Sequence, residues 1–189
     1  MQTHLRPAKP GDLCLLVAPD DDGLSSLRQR QFYLQRLFGG QPYEFVHLTC
    51  QRFVAPDESL PELQQQLRAQ LPSVAPFSII ATSLVNWKSV YTQAQELRWG
   101  IALSRDVRNF ASVIENILHA SGAMPLYVSG WHPTLVTALV GIDYISRDPN
   151  IIADVSFPFS LFSARRVLIS RITDVVGEYE TVDSILLET

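Results

Sequence analysis

The chain has 189 residues, of which 47% are apolar and 18% are charged, and its formal net charge is −4. This composition excludes a disordered chain and predicts one packed domain over residues 1–189. The acidic balance excludes the basic surface that grips long nucleic acid, so any nucleic-acid partner is expected to be small or held locally.

The first half of the chain predicts three strands separated by two helices. Apolar and aromatic runs mark the strands, and apolar residues at helical spacing mark the helices, which end at glycine and proline. In chain order, the elements are a strand at 12–18, a helix at 24–38, a strand at 43–53, a helix at 57–71 and a strand at 77–85.

The second half begins with a polar segment, 86–96, that predicts a loop. Residues 141–156 are ambiguous, and a final pair of neighbouring strands favours antiparallel pairing. The predicted fold class is therefore α+β rather than a doubly wound parallel sheet. The elements that the pattern predicts are a strand at 97–103, a helix at 106–121, a strand at 130–139 and strands at 165–173 and 179–187.

A strand–helix–strand pattern occurs twice with equal spacing. The interval from Asp12 to His47 is 35 positions, and the interval from Leu97 to His132 is also 35. No residue-level repeat accompanies this spacing. Two halves of similar design nevertheless predict a pseudo-symmetric body of two lobes.

Two of the predicted strands contain histidine followed two residues later by threonine. The pairs are His47 with Thr49 and His132 with Thr134. Because side chains alternate faces along a strand, each imidazole is expected to point the same way as its hydroxyl. If both strands line one cleft, the four groups converge on a small volume.

Such a set of side chains suits phosphodiester chemistry. A neutral imidazole can take a proton from water or a ribose hydroxyl, while a protonated one gives a proton to the leaving oxygen. The hydroxyls can donate to the non-bridging phosphate oxygens. The scheme needs neither metal nor cofactor, and the sequence lacks phosphate-loop, dinucleotide and zinc motifs. We therefore expect a metal-independent phosphoesterase.

Other polar and aromatic residues admit plainer interpretations. His119 is also followed two residues later by serine, but in the last turn of a helix, where it is expected to compensate the helix dipole. Tyr43 and Phe45 share the strand face of His47 and are candidates for stacking on a base, or for core packing. Arg52 is expected on the opposite face unless a bulge intervenes.

At these residues the chain resembles the two-histidine (2H) phosphoesterase superfamily, and within it the branch of 2′-5′ RNA ligases and cyclic phosphodiesterases. Each lobe of that family contributes His-x-Thr/Ser followed by an apolar residue. The matching segments occur in the family's order over nearly the whole chain. They are HLTC (47–50), PFSIIATSL (76–84), LRWGIAL (97–103), HPTL (132–135) and the final strand pair.

The resemblance implies a bilobal body in which antiparallel sheets, with flanking helices, are related by a pseudo-two-fold axis around a central cleft. It implies His47 and His132 as acid and base, in an order left open, and Thr49 and Thr134 as phosphate-binding hydroxyls. The implied substrates are 2′,3′-cyclic phosphates, 2′-5′ linkages or related small phosphoesters. A small nucleotide or an RNA end is the expected partner, and we expect a monomer.

Two alternatives to an enzyme stay open at this stage. The same fold could hold a nucleotide without turning it over, although pure binding does not need an acid–base pair. A structural domain is the other alternative, and it predicts that His47 and His132 lie far apart or in separate cores.

The expected location is the cytoplasm, without membrane insertion. The polar N-terminus has no apolar core of signal-peptide type, and no apolar run of about 18 residues occurs. Cys14 and Cys50, the two cysteines, lie in predicted strands and do not form a disulfide framework.

Overall fold

Two five-stranded antiparallel sheets form the frame of the molecule. The computed structural model describes residues 5–89, 93–143, 147–174 and 178–188. The strands are β1 (Leu13–Ala18), β2 (Gln41–Pro42), β3 (Leu48–Val54), β4 (Phe77–Lys88), β5 (Gln95–Ile101), β6 (Met124–Pro125), β7 (Leu135–Val140), β8 (Phe159–Ala164), β9 (Arg166–Ile172) and β10 (Tyr179–Leu186). The α-helices are α1 (Asp21–Phe38), α2 (Leu60–Gln70), α3 (Arg105–Ala120) and α4 (Pro149–Ala153), and 3₁₀ turns occupy Asp57–Ser59 and Leu71–Ser73.

The two sheets are built alike. The first has the order β10-β9-β1-β3-β6, and the second, read from its far edge, has the order β8-β4-β5-β7-β2. Strands β1 and β3 of the first sheet come from the first half of the chain, and β5 and β7 of the second sheet come from the second half. Both halves repeat the order strand, helix, two-residue strand, strand. The predicted α+β class and the pseudo-two-fold arrangement of antiparallel sheets are confirmed.

The two halves exchange their two-residue strands. Strand β2 precedes β3 in the chain but pairs with β7, and β6 precedes β7 but pairs with β3. The amide of Tyr43 donates to the carbonyl of Ala138 at 3.0 Å, and the amide of Leu126 donates to the carbonyl of Arg52 at 2.7 Å. The chain therefore enters each of the strands β3 and β7 from the opposite lobe, and these two strands contact one another.

The long helices begin at side-chain caps and cover the outer faces of the sheets. The side chain of Asp20 accepts from the amide of Gly23 at the start of α1, and Ser104 accepts from the amide of Val107 at the start of α3. Helix α1 packs on the second sheet and α3 packs on the first. Buried Gln31 links α1 to the place where β2 pairs with β7, because its amide nitrogen donates to the carbonyls of Tyr43 and Ala138.

Several boundaries differ from the sequence prediction. The predicted loop 86–96 is partly strand, since β4 extends to Lys88 and β5 begins at Gln95. The strand ends in this hairpin are only partly buried and carry polar side chains. The sequence there consequently lacks the apolar alternation that predicts a strand. Strand β8 and helix α4 were not predicted, and residues 175–177, between the last two predicted strands, lie outside the described residues.

Both cysteines are buried and reduced. Cys14 lies on β1 and Cys50 on β3, and burial raises the pKa of each thiol to about 12. Thiols with so high a pKa are poor nucleophiles near neutral pH, so neither is a candidate catalytic group. Among the residues that the structure describes, none belongs to a helix with the length and apolarity that a membrane crossing requires.

Candidate functional site

The first histidine motif lies at the start of β3. The predicted strand 43–53 is too long, because regular pairing begins at Leu48, so His47 immediately precedes the strand and Thr49 lies within it. Nδ1 of His47 is 2.7 Å from the carbonyl oxygen of Phe45. Since a carbonyl can only accept, Nδ1 carries the hydrogen in the neutral ring, and Nε2 keeps its lone pair free to accept a proton.

Three aromatic rings surround the His47 imidazole. Its centroid lies 5.0 Å from that of Phe45, 5.1 Å from that of Tyr179 on β10 and 6.0 Å from that of Tyr43. The sequence expectation that Phe45 and Tyr43 share the side of His47 therefore holds, although the segment is not a strand. Both rings are half-buried against the imidazole, and their stacking on a base stays a prediction.

A β-bulge sets which residues of the first sheet share the face of Thr49. Thr49 pairs with Leu16 while Gln51 pairs with Leu15, which leaves Cys50 as the extra residue. Beyond the bulge, Arg52 pairs with Cys14, which lies on the same face of β1 as Leu16. Arg52 consequently returns to the Thr49 face, as the sequence allowed only if a bulge intervened.

The second motif lies in an irregular segment before β7. The predicted strand 130–139 is wrong at its beginning, since pairing starts at Leu135, and Pro133 has no amide hydrogen to contribute to a ladder. His132 is half-buried, and its buried Nδ1 has no hydrogen-bond partner in the described part of the chain. Thr134 is exposed, and its carbonyl accepts from the amide of Ile101 at 2.7 Å.

The inner face of the second sheet carries Arg98 and Thr137. These two residues pair across β5 and β7, so their side chains share a face. Ala138 is the extra residue of a bulge that follows Thr137, just as Cys50 follows Thr49. Thr137 therefore occupies the position in the second sheet that Thr49 has in the first. Sequence reasoning missed it because the His-x-Thr pattern drew attention to Thr134.

Arg98 connects the second sheet electrostatically to His47. Its guanidinium lies 2.6 Å from a carboxylate oxygen of Glu96 and 5.0 Å from the ring centroid of Trp87. The pKa of His47 is lowered to about 4, because burial and, to a smaller extent, the positive charge of Arg98 together outweigh the hydrogen bond to Phe45, which raises it. The His47 imidazole is consequently neutral near pH 7, the state that a general base requires.

The low pKa of His47 predicts a pH dependence of stability. The unfolded chain binds a proton at this site below about pH 6.5, whereas the folded chain does so only near pH 4. The free energy of unfolding should therefore fall as the pH falls from 6.5 to 4, by up to about 3 kcal/mol from this group. Urea denaturation of the wild type and of His47→Gln across this range measures the effect, because the variant lacks it. Parallel pH profiles for the two proteins would contradict the assignment.

Acidic, histidine and cysteine side chains do not assemble into a candidate metal centre in the part of the chain that the structure describes. No group of three such residues lies close enough to hold an ion there. The polar groups near the two inner sheet faces are instead the imidazole of His47, the hydroxyls of Thr49 and Thr137 and the ion pair of Arg98 with Glu96, and their convergence on one site stays a prediction.

Solved structures share this fold at low sequence identity. Escherichia coli LigT complexed with 3′-AMP is 14% identical with a TM-score of 0.65, covering 96% of this chain and all of that one. TT0787 of Thermus thermophilus is 15% identical with a TM-score of 0.61, over 93% of this chain and 97% of that one. Kluyveromyces marxianus Usb1 is 11% identical with a TM-score of 0.53, over 93% and 99%.

These solved structures belong to the two-histidine phosphoesterase superfamily. The fold is therefore the one that the sequence resemblance implies. No protein-family model matches the sequence, and no curated protein matches it.

Proposed function

We propose that the chain is a metal-independent phosphoesterase that acts on a 2′,3′-cyclic phosphate, a 2′-5′ linkage or a related RNA-end phosphodiester. The observation that carries the proposal is the state of His47, a neutral imidazole with Nδ1 held by the Phe45 carbonyl and Nε2 free. The fold supports the phosphoesterase class. His47 is assigned as the general base.

The proposed reaction divides the proton transfers between the two histidines. Nε2 of His47 takes a proton from water as that oxygen attacks the phosphorus, and His132 gives a proton to the ribose oxygen that leaves. The hydroxyls of Thr49 and Thr134 donate to the non-bridging oxygens. Arg98 supplies positive potential beside the developing negative charge.

The convergence of the two motifs on one phosphate is part of the proposal. Its support is the strand exchange. Strands β3 and β7 contact one another, and the chain enters each of them from the opposite lobe. Because Thr134 is exposed and precedes the regular strand, Thr137 is a second candidate for the hydroxyl contributed by this lobe.

Small phosphate-containing compounds are the proposed ligands. E. coli LigT has been solved with 3′-AMP, ATP, NADP⁺ and phosphate, all of which carry phosphate groups. A net charge of −4 favours a short substrate over a long nucleic acid. We place the enzyme in the cytoplasm as a monomer.

A turnover assay with excess chelator tests the proposal. Wild-type protein with 2′,3′-cyclic AMP, and separately with 2′-5′-linked diadenosine monophosphate, should yield a monoester or a cleaved dinucleotide at a rate that EDTA does not change. Binding of 3′-AMP without turnover of either substrate would favour the non-catalytic module of the same fold. Loss of activity in EDTA, restored by a divalent metal, would contradict the proposed mechanism.

A further inference from the structure

A pocket of about 360 Å³ lies on the outer side of the second sheet, between α1 and the strands β4, β5 and β8. We call it the outer pocket. Trp99 lines it, and Trp99 precedes Gly100 and follows Arg98 on β5. Since neighbouring side chains on a strand point to opposite faces, the outer pocket is on the face away from Arg98 and His47. Its lining residues include Arg30, Leu34, Leu84, Trp99, Phe157 and Phe159.

Apolar and aromatic side chains share the lining of the outer pocket with Ser26, Gln29, Arg30 and Asp154. Leu34 and Trp99 are almost fully buried, with 2% and 1% of their surfaces exposed, and they form part of the main core. The rings of Phe157 and Phe159 stack with centroids 5.3 Å apart. The hydroxyl of Tyr33 donates to the carbonyl of Ala153 at 2.7 Å, which fixes the rim between α1 and α4. Such walls suit a planar or aliphatic body.

One cation in the outer pocket lacks an acceptor. The Arg30 guanidinium lies over the Phe159 ring at 4.0 Å, and its buried Nε has no hydrogen-bond partner among residues that the structure describes. No ion pair to Arg30 is found in that part of the chain either. A buried donor without an acceptor is costly, and a carboxylate, sulfonate or phosphate oxygen would satisfy the planar fork of donors.

We propose that the outer pocket binds an organic anion with an apolar or aromatic body, its acidic group on Arg30 and its body against the partly exposed Phe157 and Val155. Asp154 also lines the pocket but is exposed to solvent, so its charge is screened. The site is separate from the histidine motifs and does not depend on the proposed function.

Fluorescence titration with 8-anilinonaphthalene-1-sulfonate tests this site, with the uncharged N-phenyl-1-naphthylamine as a matched probe. We expect saturable binding of one sulfonate probe per chain. Arg30→Met should weaken that binding about tenfold or more, the scale of a lost charge-assisted hydrogen bond, while leaving the uncharged probe unaffected. Arg108→Met, a change of the same kind on the exposed side of α3, should leave both affinities unchanged.

Two further variants keep the test decisive if Arg30→Met folds poorly. Arg30→Lys retains the charge but not the planar fork of donors, so its affinity for the sulfonate probe should lie between those of the wild type and Arg30→Met. Asp154→Asn removes a negative charge at a position whose backbone (φ of 48°) asparagine tolerates, and it should strengthen sulfonate binding. His47→Gln should change neither affinity. Equal affinity in wild type and Arg30→Met, weaker binding in Asp154→Asn, or no saturable binding would overturn the proposal.

Discussion

Replacing His47 with glutamine is expected to lower kcat/KM for 2′,3′-cyclic AMP by about 10²- to 10⁴-fold, the range that acid–base catalysis contributes. Glutamine can still donate to the Phe45 carbonyl, but it cannot accept the proton of the attacking water. His132→Gln should cause a loss on the same scale through the leaving group. The measurement is initial rate against substrate concentration at pH 7 in EDTA.

His119→Gln provides a matched control for both histidine variants. His119 is in the last turn of α3, its side chain is 63% exposed and its Nε2 lies 3.9 Å from Glu115. The same substitution there should change kcat/KM by less than about twofold. Activity of His47→Gln within a few-fold of wild type would remove His47 from the mechanism.

Removing the buried carboxylate of Asp12 is expected to destabilise the fold by about 3–5 kcal/mol. Asp12 accepts from both terminal nitrogens of Arg6 at 2.9 and 2.6 Å and from the amide of Lys9, and its oxygen is 3.7 Å from Nε of Arg52. Arg52 is only 2% exposed, so Asp12→Ala takes a carboxylate away from a buried cation. Urea denaturation at pH 7 measures the loss.

The double variant Asp12→Ala/Arg52→Met distinguishes two costs of removing Asp12. One is the lost attraction between the two side chains, and the other is the burial of the Arg52 charge without Asp12 beside it. If the buried cation is the main penalty, adding Arg52→Met should restore part of the stability lost in Asp12→Ala. Asp57→Ala is the surface control, because it removes a 3.6 Å ion pair to Arg171 in which the Asp57 side chain is 89% exposed, and it should have little effect. A double variant no more stable than Asp12→Ala would contradict the explanation.

The central strands and long helices could be predicted from the sequence because their burial follows a regular period. Helix α3, for example, buries Val107, Phe110, Ile114 and Leu118 on one face, as the apolar spacing predicted. Strand β8 escaped prediction because it follows the irregular segment 154–158 and shows no long apolar run. The exchange of β2 and β6 leaves no trace in the sequence, since two residues carry no periodicity.

The candidate site was predicted unevenly for a physical reason. Regular pairing begins directly after His47 and the bulge comes only at Cys50, so strand alternation applies to Thr49 but not to His47, and their shared direction stays a prediction. Strand alternation could not place the second motif, because Pro133 delays regular pairing until Leu135. Arg98 could not be assigned from sequence either, since its effect on His47 arises between residues of different sheets.

In the proposed mechanism both imidazoles reach one phosphate, and a crystal structure of the protein with 3′-AMP tests this most directly. We predict that a ring nitrogen of His47 and one of His132 each lie about 3 Å from oxygens of the same phosphate group. A phosphate that contacts only one of the two imidazoles, or that is bound away from both, would contradict it.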